Sequence, residues 1–196
     1  MNKNLFRAGA AVGAVLFALL MGAGQVAAQP APPREGVFGD SYVEIIPFGE
    51  TPEAAFTELQ DGEEIERHIA DFEGQLLVVN FWATWCKPCI EEMPELNALQ
   101  TEHGGDDLQV LTVSNDRGGA EEVLPFYEDY GLEDLGVYLD PKGELARDFQ
   151  VRGLPTTFIV DRQGQVVGRI EGIVPWNAPE AHKLLDFYLE GRHREE

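Results

Sequence analysis

Hydrophobic residues recur in short regular groups from residue 54 onward, and their spacing predicts a succession of strands and helices. The most apolar group spans 75–82 and predicts a central strand that is covered on both faces. Further strands are predicted at 54–59, 108–114, 137–139, 156–161 and 165–170, and helices at 62–71, 88–103, 120–130, 144–149 and 179–190.

The order of these elements predicts an α/β fold with a central mixed β-sheet flanked by helices. Strands that alternate with helices pair in parallel through right-handed crossovers. The last two strands are separated by Arg162-Gln163-Gly164, which predicts a hairpin and hence antiparallel pairing at the end of the chain.

Residues 1–28 have the composition of an export signal. Lys3 and Arg7 precede an apolar segment, and Val26-Ala27-Ala28 is typical of a small-residue cleavage site. An uncleaved membrane anchor is the alternative, because 8–28 carries no charge and is long enough to span a bilayer. In both interpretations the rest of the chain is exported. The leader is typical of bacteria, which indicates the periplasm, a compartment with oxidising conditions.

The rest of the chain divides into a short connecting segment and one domain. Residues 29–53 are rich in proline and glycine and predict a linker. The domain is then expected at 54–192, a length that can bury a full hydrophobic core without help from disulfides. A single pair of cysteines in such a domain favours a chemical role over a structural one.

The chain is strongly acidic, with 14 Lys and Arg against 35 Asp and Glu and a net charge of −21 at pH 7. Such a surface repels nucleic acid and anionic lipid, so neither is an expected partner. Contact with a membrane is expected only through the N-terminal segment. The acidity fits either simple solubility or a basic protein partner.

The only two cysteines, Cys86 and Cys89, follow the predicted central strand directly and begin a predicted helix. A helix start supplies unpaired N–H groups and the positive dipole end, which lower a thiol pKa below its usual value of about 8.5. We therefore assign Cys86 as nucleophile and Cys89 as the shielded resolving thiol. Pro88 suits an early helix position, where a missing N–H costs little. Lys87 adds a nearby charge that is expected to be solvated.

Three alternative roles for the cysteine pair stay open. A structural disulfide between residues so close in sequence would constrain very little chain. Copper(I) binding by two thiolates is chemically reasonable, with Met93 the nearest further ligand. A zinc site would need about two more ligands, so no metal site is predicted. The histidines are scattered without paired spacing, at His68, His103, His182 and His193.

Pro155 begins a predicted buried strand, where a proline cannot donate to the sheet. A cis Leu154–Pro155 peptide bond would explain this position. Only about 5–6% of such bonds are cis, so the position alone is weak support, but the upstream cysteine pair strengthens it.

These motifs together resemble the thioredoxin superfamily, and within it the exported TlpA/ResA-like thiol–disulfide oxidoreductases. The resemblance rests on residues 79–89 (VNFWATWCKPC), on Glu92-Met93-Pro94 and on residues 151–161 (VRGLPTTFIVD). It covers roughly 54–190, and the segment 116–140 is similar to the βα insertion of this group.

The resemblance implies a redox-active Cys86–Cys89 disulfide with the cis-proline Pro155 packed beside it. The backbone at Leu154, before that proline, would pair with an extended substrate segment. Trp85 matches the aromatic residue that flanks the pair, with a surface-packed core position as the alternative. No diffusible cofactor is implied. The implied partners are disulfide-bearing exported client proteins and a membrane-embedded thiol electron donor, and the protein is expected to be a monomer.

Two positions need separate interpretation. Asn80 stands where cytoplasmic thioredoxins carry a buried aspartate, and an amide cannot titrate. Glu92 lies three residues after Cys89, where ResA-like proteins have an active-site glutamate that could raise thiol pKa values and exchange protons. The alternative is a solvated helix glutamate beside Glu91.

The resemblance therefore predicts a periplasmic thiol–disulfide oxidoreductase that reduces disulfides in client proteins. Cys86 would attack and Cys89 would resolve the mixed disulfide. The alternatives are a disulfide oxidase or isomerase with the same pair, and a copper(I)-handling module of cytochrome oxidase or cytochrome c maturation.

Overall fold

A computed structural model describes residues 31–33, 36–38 and 41–191. The predicted leader at 1–28 lies outside these residues. The strands are β1 Tyr42–Glu50, β2 Phe56–Gln60, β3 Glu63–Arg67, β4 Leu76–Trp82, β5 Leu108–Ser114, β6 Val137–Leu139, β7 Thr156–Val160 and β8 Gln165–Glu171. The helices are α1 Lys87–His103, α2 Ala120–Tyr130, α3 Glu144–Asp148 and α4 Pro179–Leu189, with short 3₁₀ turns at Gly36–Phe38 and Ile69–Phe72.

The eight strands form one mixed sheet in the order β1-β8-β7-β4-β5-β6-β2-β3. β4 pairs in parallel with β5, which pairs in parallel with β6, and the other pairs are antiparallel. All seven residues of β4 are buried, as its apolar sequence predicts. The predicted fold class is confirmed.

Two hydrophobic clusters cover the two faces of this sheet. Successive side chains of a strand point to opposite faces, so Val78 and Trp82 join the cluster that contains α1 and α4. Val79 and Phe81 join the other cluster, together with α3. Asn80 lies between Val78 and Trp82 in the alternation of β4 and points to the same face of the sheet, so its side chain faces α1.

The expected linker at 29–53 is wrong for residues 42–50, which form β1 and pair with β8. Pro47 and Gly49 interrupt the apolar pattern there, and the register shifts between Glu44 and Gly49. A proline and a bulge are tolerated at a sheet edge, which is where β1 lies.

The helix predicted at 62–71 is also wrong, because β3 occupies residues 63–67 of it and pairs with β2. Asp61 and Gly62 join these strands with positive φ angles of 53° and 84°, the conformation of a tight hairpin turn. The helical spacing of Ile65 and Ile69 arises by coincidence, since Ile65 lies in the strand and Ile69 in the 3₁₀ turn after it.

The other predicted elements are present, with ends shifted by at most two residues. The segment 116–140 contains α2 and β6, and β6 joins the sheet between β5 and β2. In the ranges that the structure describes, no helix is long and apolar enough to cross a membrane.

Candidate active site

Cys86 and Cys89 lie at the start of α1 and are joined by a disulfide bond of 2.07 Å. Cys86 is the N-cap residue, and its carbonyl accepts a hydrogen bond of 3.1 Å from the N–H of Ile90. Its own N–H donates to the carbonyl of Ala83 at 3.0 Å, which closes a turn after β4. The predicted placement at a helix start is confirmed.

The two sulfur-bearing residues differ in exposure. Cys86 is 6% exposed and Cys89 is 1% exposed, so an incoming group reaches Cys86 first. Trp85 is 71% exposed, which excludes its alternative position in the core. The Lys87 ammonium is solvated, as predicted, and lies 4.0 Å from the Glu91 carboxylate. Pro88 falls in the first turn of the helix, where its missing N–H has no partner to lose.

The Leu154–Pro155 peptide bond is cis, as predicted. Thr156 pairs with Phe81 at the end of the β7–β4 ladder, so Pro155 lies at the sheet end from which the chain runs to Cys86. The carbonyl of Pro155 accepts a hydrogen bond of 3.0 Å from Gly172. Leu154 is partly buried and packs against both hydrophobic clusters.

Glu92 is buried one turn after Cys89, which excludes the alternative of a solvated glutamate. Its Oε1 accepts hydrogen bonds from Trp176 Nε1 at 2.6 Å and from the Val174 N–H at 3.1 Å. Its Oε2 accepts a longer one of 3.4 Å from Asn80 Nδ2. Burial raises the pKa of Glu92 to about 7, and the three hydrogen bonds act in the opposite direction.

Asn80 is buried on β4 and faces the same carboxylate. Its Nδ2 donates to Thr157 Oγ1 at 2.9 Å as well as to Glu92. Its Oδ1 is buried and makes no hydrogen bond to any residue within the described part of the chain. The titratable group on this side of β4 is therefore Glu92 on the helix, while residue 80 contributes an amide.

A second buried carboxylate fixes the turn before the cysteines. Asp116 accepts hydrogen bonds from the Thr84 N–H at 2.8 Å and the Thr84 hydroxyl at 2.7 Å. The Ser114 hydroxyl donates to the same carboxylate at 2.8 Å. Asp116 thus connects the end of β5 to the segment that delivers Cys86.

Sequence reasoning missed Val174, Trp176 and Asp116. Trp176 offered a signal, since it lies in an apolar stretch between a strand and a helix, and a buried indole N–H needs an acceptor. The structure also brings His103 and His182 together, which sequence spacing gave no reason to pair.

Comparisons with known proteins agree with this geometry. A family model described as AhpC/TSA matches residues 51–169. The thiol-disulfide oxidoreductase ResA of Bacillus thuringiensis is 35% identical over 123 residues, which are 63% of this chain and 68% of ResA. ResA of a Bacillus cereus strain is 33% identical over 157 residues, 80% of this chain and 83% of that protein.

Solved structures show the same likeness. A Chlorobium tepidum protein assigned as the thiol:disulfide interchange protein DsbE has a TM-score of 0.62 and 27% identity. The match covers 72% of this chain and 97% of that one. StoA from Bacillus subtilis has a TM-score of 0.54 and 26% identity, and its match covers 68% of this chain and 96% of StoA.

Proposed function

Because this chain belongs to the AhpC/TSA family of thioredoxin-like proteins, we infer that it uses Cys86 and Cys89 to reduce disulfides in exported client proteins. It is a thiol–disulfide oxidoreductase of the ResA/StoA type. The observation that carries the inference is the disulfide at the N-terminus of α1, with Cys86 as its more exposed half.

In the reduced form, the Cys86 thiolate attacks one sulfur of a client disulfide. A new S–S bond forms between Cys86 and the client, the client disulfide breaks, and one client thiolate leaves. Cys89 then attacks the Cys86 sulfur, which restores the intramolecular disulfide and releases the second client thiolate. Two electrons pass to the client, and its two thiolates take up two protons.

The local structure supports this division of roles. Cys86 at the N-cap lies beside the free N–H groups of the first turn, which stabilise a thiolate. Cys89 is enclosed and stays a thiol until the mixed disulfide brings a sulfur to it. Glu92, one turn further along, can accept the Cys89 proton because its pKa of about 7 lies near neutrality.

Client binding is assigned to the surface around the cis-proline. The backbone at Leu154 would pair with an extended client segment by strand addition. Trp85, 71% exposed, and Ile173, 45% exposed, offer apolar contacts near the site, since Ile173 adjoins Val174, whose N–H contacts Glu92. These contacts would orient a client disulfide toward Cys86.

The cellular setting forms part of the same inference. The leader predicted at 1–28 favours export to the periplasm. Electrons would then come from a membrane-embedded thiol donor, because an oxidising compartment does not supply reducing equivalents. The mass of the N-terminus in the native protein distinguishes a leader cleaved after Ala28 from a retained anchor.

Trapping of the mixed disulfide tests the catalytic roles. With insulin as the client, Cys89→Ser should accumulate a mixed disulfide through Cys86, and Cys86→Ser should form none. If the reduced protein does not reduce the disulfides of insulin and Cys89→Ser forms no adduct, catalysis by this pair is contradicted.

The equilibrium potential against glutathione tests the direction of electron flow. A value near the thioredoxin value of about −270 mV supports reduction of clients, and one near −120 mV supports the alternative of disulfide donation. Copper(I) handling by the reduced pair is the alternative, with Met93, buried one turn after Cys89 on α1, as the nearest further sulfur along the chain. Tight copper(I) binding without reduction of insulin disulfides would favour that alternative.

A further inference from the structure

His103 and His182 lie side by side although they are 79 residues apart in sequence. His103 is the last residue of α1 and His182 lies in the first turn of α4. His103 Nε2 and His182 Nδ1 are 3.0 Å apart. Glu102 Oε2 lies 3.9 Å from His103 Nε2, and one ligand atom from each of the three residues falls within 4.8 Å of the others.

We propose that Glu102, His103 and His182 bind a divalent ion of the zinc class between the end of α1 and the start of α4. In a tetrahedral site with Zn–N bonds of about 2.0–2.1 Å, two ligand nitrogens are roughly 3.3 Å apart. The two imidazoles are therefore already close to the required separation. The Glu102 side chain is exposed and its oxygen lies 3.9 Å from His103 Nε2, so no packed contact would have to break for it to approach the ion.

The surroundings favour a cation at this position. The C-terminal end of α1 carries partial negative charge at His103, and the N-terminal end of α4 carries partial positive charge at His182, so the two helix dipoles oppose each other and the side-chain charges decide. Glu102 adds a full negative charge, and the net charge of −21 attracts cations to the protein. Asp186, one turn after His182 on α4, lines the same small cleft and adds a further carboxylate there.

This site is separate from the cysteines. Cys89 and His103 are fourteen residues apart on α1, which is about 21 Å along the helix axis. The cysteine pair offers only two ligands for zinc, whereas this site offers three, Glu102 and His103 from α1 and His182 from α4. The proposed metal site therefore does not depend on the redox role proposed above.

A bound ion would connect the two elements that enclose Glu92. α1 carries Glu92, and the segment that donates to it from Val174 and Trp176 leads into α4. An ion held by His103 and His182 would join the C-terminal end of α1 to the first turn of α4. Since an ion that binds only the folded state stabilises it by mass action, zinc should raise the unfolding temperature.

A zinc titration of the purified full chain tests the site, with the Cys86–Cys89 disulfide intact so that the thiols cannot bind. At pH 7.5, competition with a chromophoric chelator should show one site of micromolar affinity. His103→Ala and His182→Ala should each weaken binding at least tenfold. His68→Ala is the matched control, because His68 is a solvent-accessible histidine that binds the Glu53 carbonyl elsewhere, and it should leave the affinity unchanged.

Thermal unfolding gives a second measurement that does not depend on the chelator. Zinc at a hundredfold excess over its Kd should raise the unfolding temperature by roughly 5–10 °C in the wild type and in His68→Ala. The shift should vanish in the His103→Ala/His182→Ala double variant, whose folding is checked by circular dichroism. A double variant that binds zinc as tightly as the wild type overturns the proposal, because the imidazole pair would then be only a hydrogen-bonded contact. Mg²⁺ that competes equally also overturns it, because carboxylates alone would then be responsible.

Discussion

Trp176 Nε1 donates a hydrogen bond of 2.6 Å to Glu92 Oε1, across 84 residues of sequence. The acceptor is a buried carboxylate one turn after Cys89, and its pKa is raised to about 7 by burial. The indole N–H stabilises the charged form and so limits this rise. The protonation of Glu92 is therefore set by a balance between an apolar surrounding and three donors.

Trp176→Phe should move the pH midpoint of the exchange reaction upward by about 1–2 units. The variant keeps an aromatic ring but removes the donor, and a hydrogen bond to a charged group is worth about 1.5–3 kcal/mol. The pH profile of insulin reduction measures this shift. Trp82→Phe is the matched control, because Trp82 donates to the Thr112 carbonyl and not to Glu92. An unchanged midpoint in Trp176→Phe would show that the indole does not control the carboxylate.

Glu92→Gln should slow release of the mixed disulfide about 10- to 100-fold at pH 7, because an amide cannot accept the Cys89 proton. Rapid-mixing kinetics with a fluorescent client peptide separate this step from the initial attack by Cys86. Glu91→Gln removes a neighbouring carboxylate that is exposed and should leave both steps unchanged. Equal rates in Glu92→Gln and the wild type would exclude proton transfer through this residue.

The stability of the oxidised protein should fall as the pH rises from about 4.5 to about 7. The folded pKa of Glu92 lies above its ordinary value of 4.5, so in this window the folded state holds a proton that the unfolded state has released. Stability contributed by that proton is present at low pH and lost as the pH passes about 7. Comparison of pH 5 and pH 8 should show a loss of about 2–3 kcal/mol that Glu92→Gln lacks. Urea unfolding of both proteins at the two pH values measures this difference, and parallel pH dependences would contradict it.

Asp116→Asn should destabilise the protein by about 2–3 kcal/mol. The substitution replaces three hydrogen bonds to a charged group by neutral ones, because the amide oxygen can accept from the Thr84 N–H and the Ser114 hydroxyl while the NH₂ group turns to the Thr84 hydroxyl. Thr84→Val removes one of those bonds and should cost about 1 kcal/mol. Denaturant unfolding gives both values. A cost below that of Thr84→Val would show that Asp116 does not fix the turn before Cys86.

Trp85→Ala should leave stability within about 0.5 kcal/mol of the wild type, because the side chain is 71% exposed. It should raise the KM for a protein client several-fold while the rate with a small disulfide stays the same. Leu124→Ala, at an apolar position on α2 that is 43% exposed, is the control. A KM unchanged by Trp85→Ala would remove this indole from the client surface.

Sequence alone located the sulfur pair, its helix and the cis-proline because each has a strong local signal. The apolar run of β4, a proline in the first turn of α1 and a proline before β7 all act within a few residues. The edge strands β1 and β3 carry no such signal. β1 is interrupted by a bulge, and β3 has polar residues at most positions, so pairing with a neighbour decides their structure.

The environment of Glu92 could not be predicted in the same way. Its spacing from Cys89 placed it near the cysteines, but spacing along a helix does not show what covers that face. The donors come from Val174 and Trp176, more than 80 residues away, and only the tertiary packing of the region from β8 to α4 beside α1 brings them there. The contact between His103 and His182 arises from the same packing, so the sequence could not predict it either.

Within the described residues no group holds Asn80 Oδ1 by a hydrogen bond, so only Glu92 and Thr157 set the orientation of this amide. As it stands, the NH₂ group faces an ionised Glu92 and Thr157. After a half-turn about the last side-chain bond of Asn80, its oxygen would take that place and accept a hydrogen bond from the O–H of a protonated Glu92. The Thr157 hydroxyl can serve either orientation, because it can donate as well as accept. An amide at position 80 thus suits both ionisation states of its neighbour without changing charge itself, whereas a carboxylate there would repel one of them.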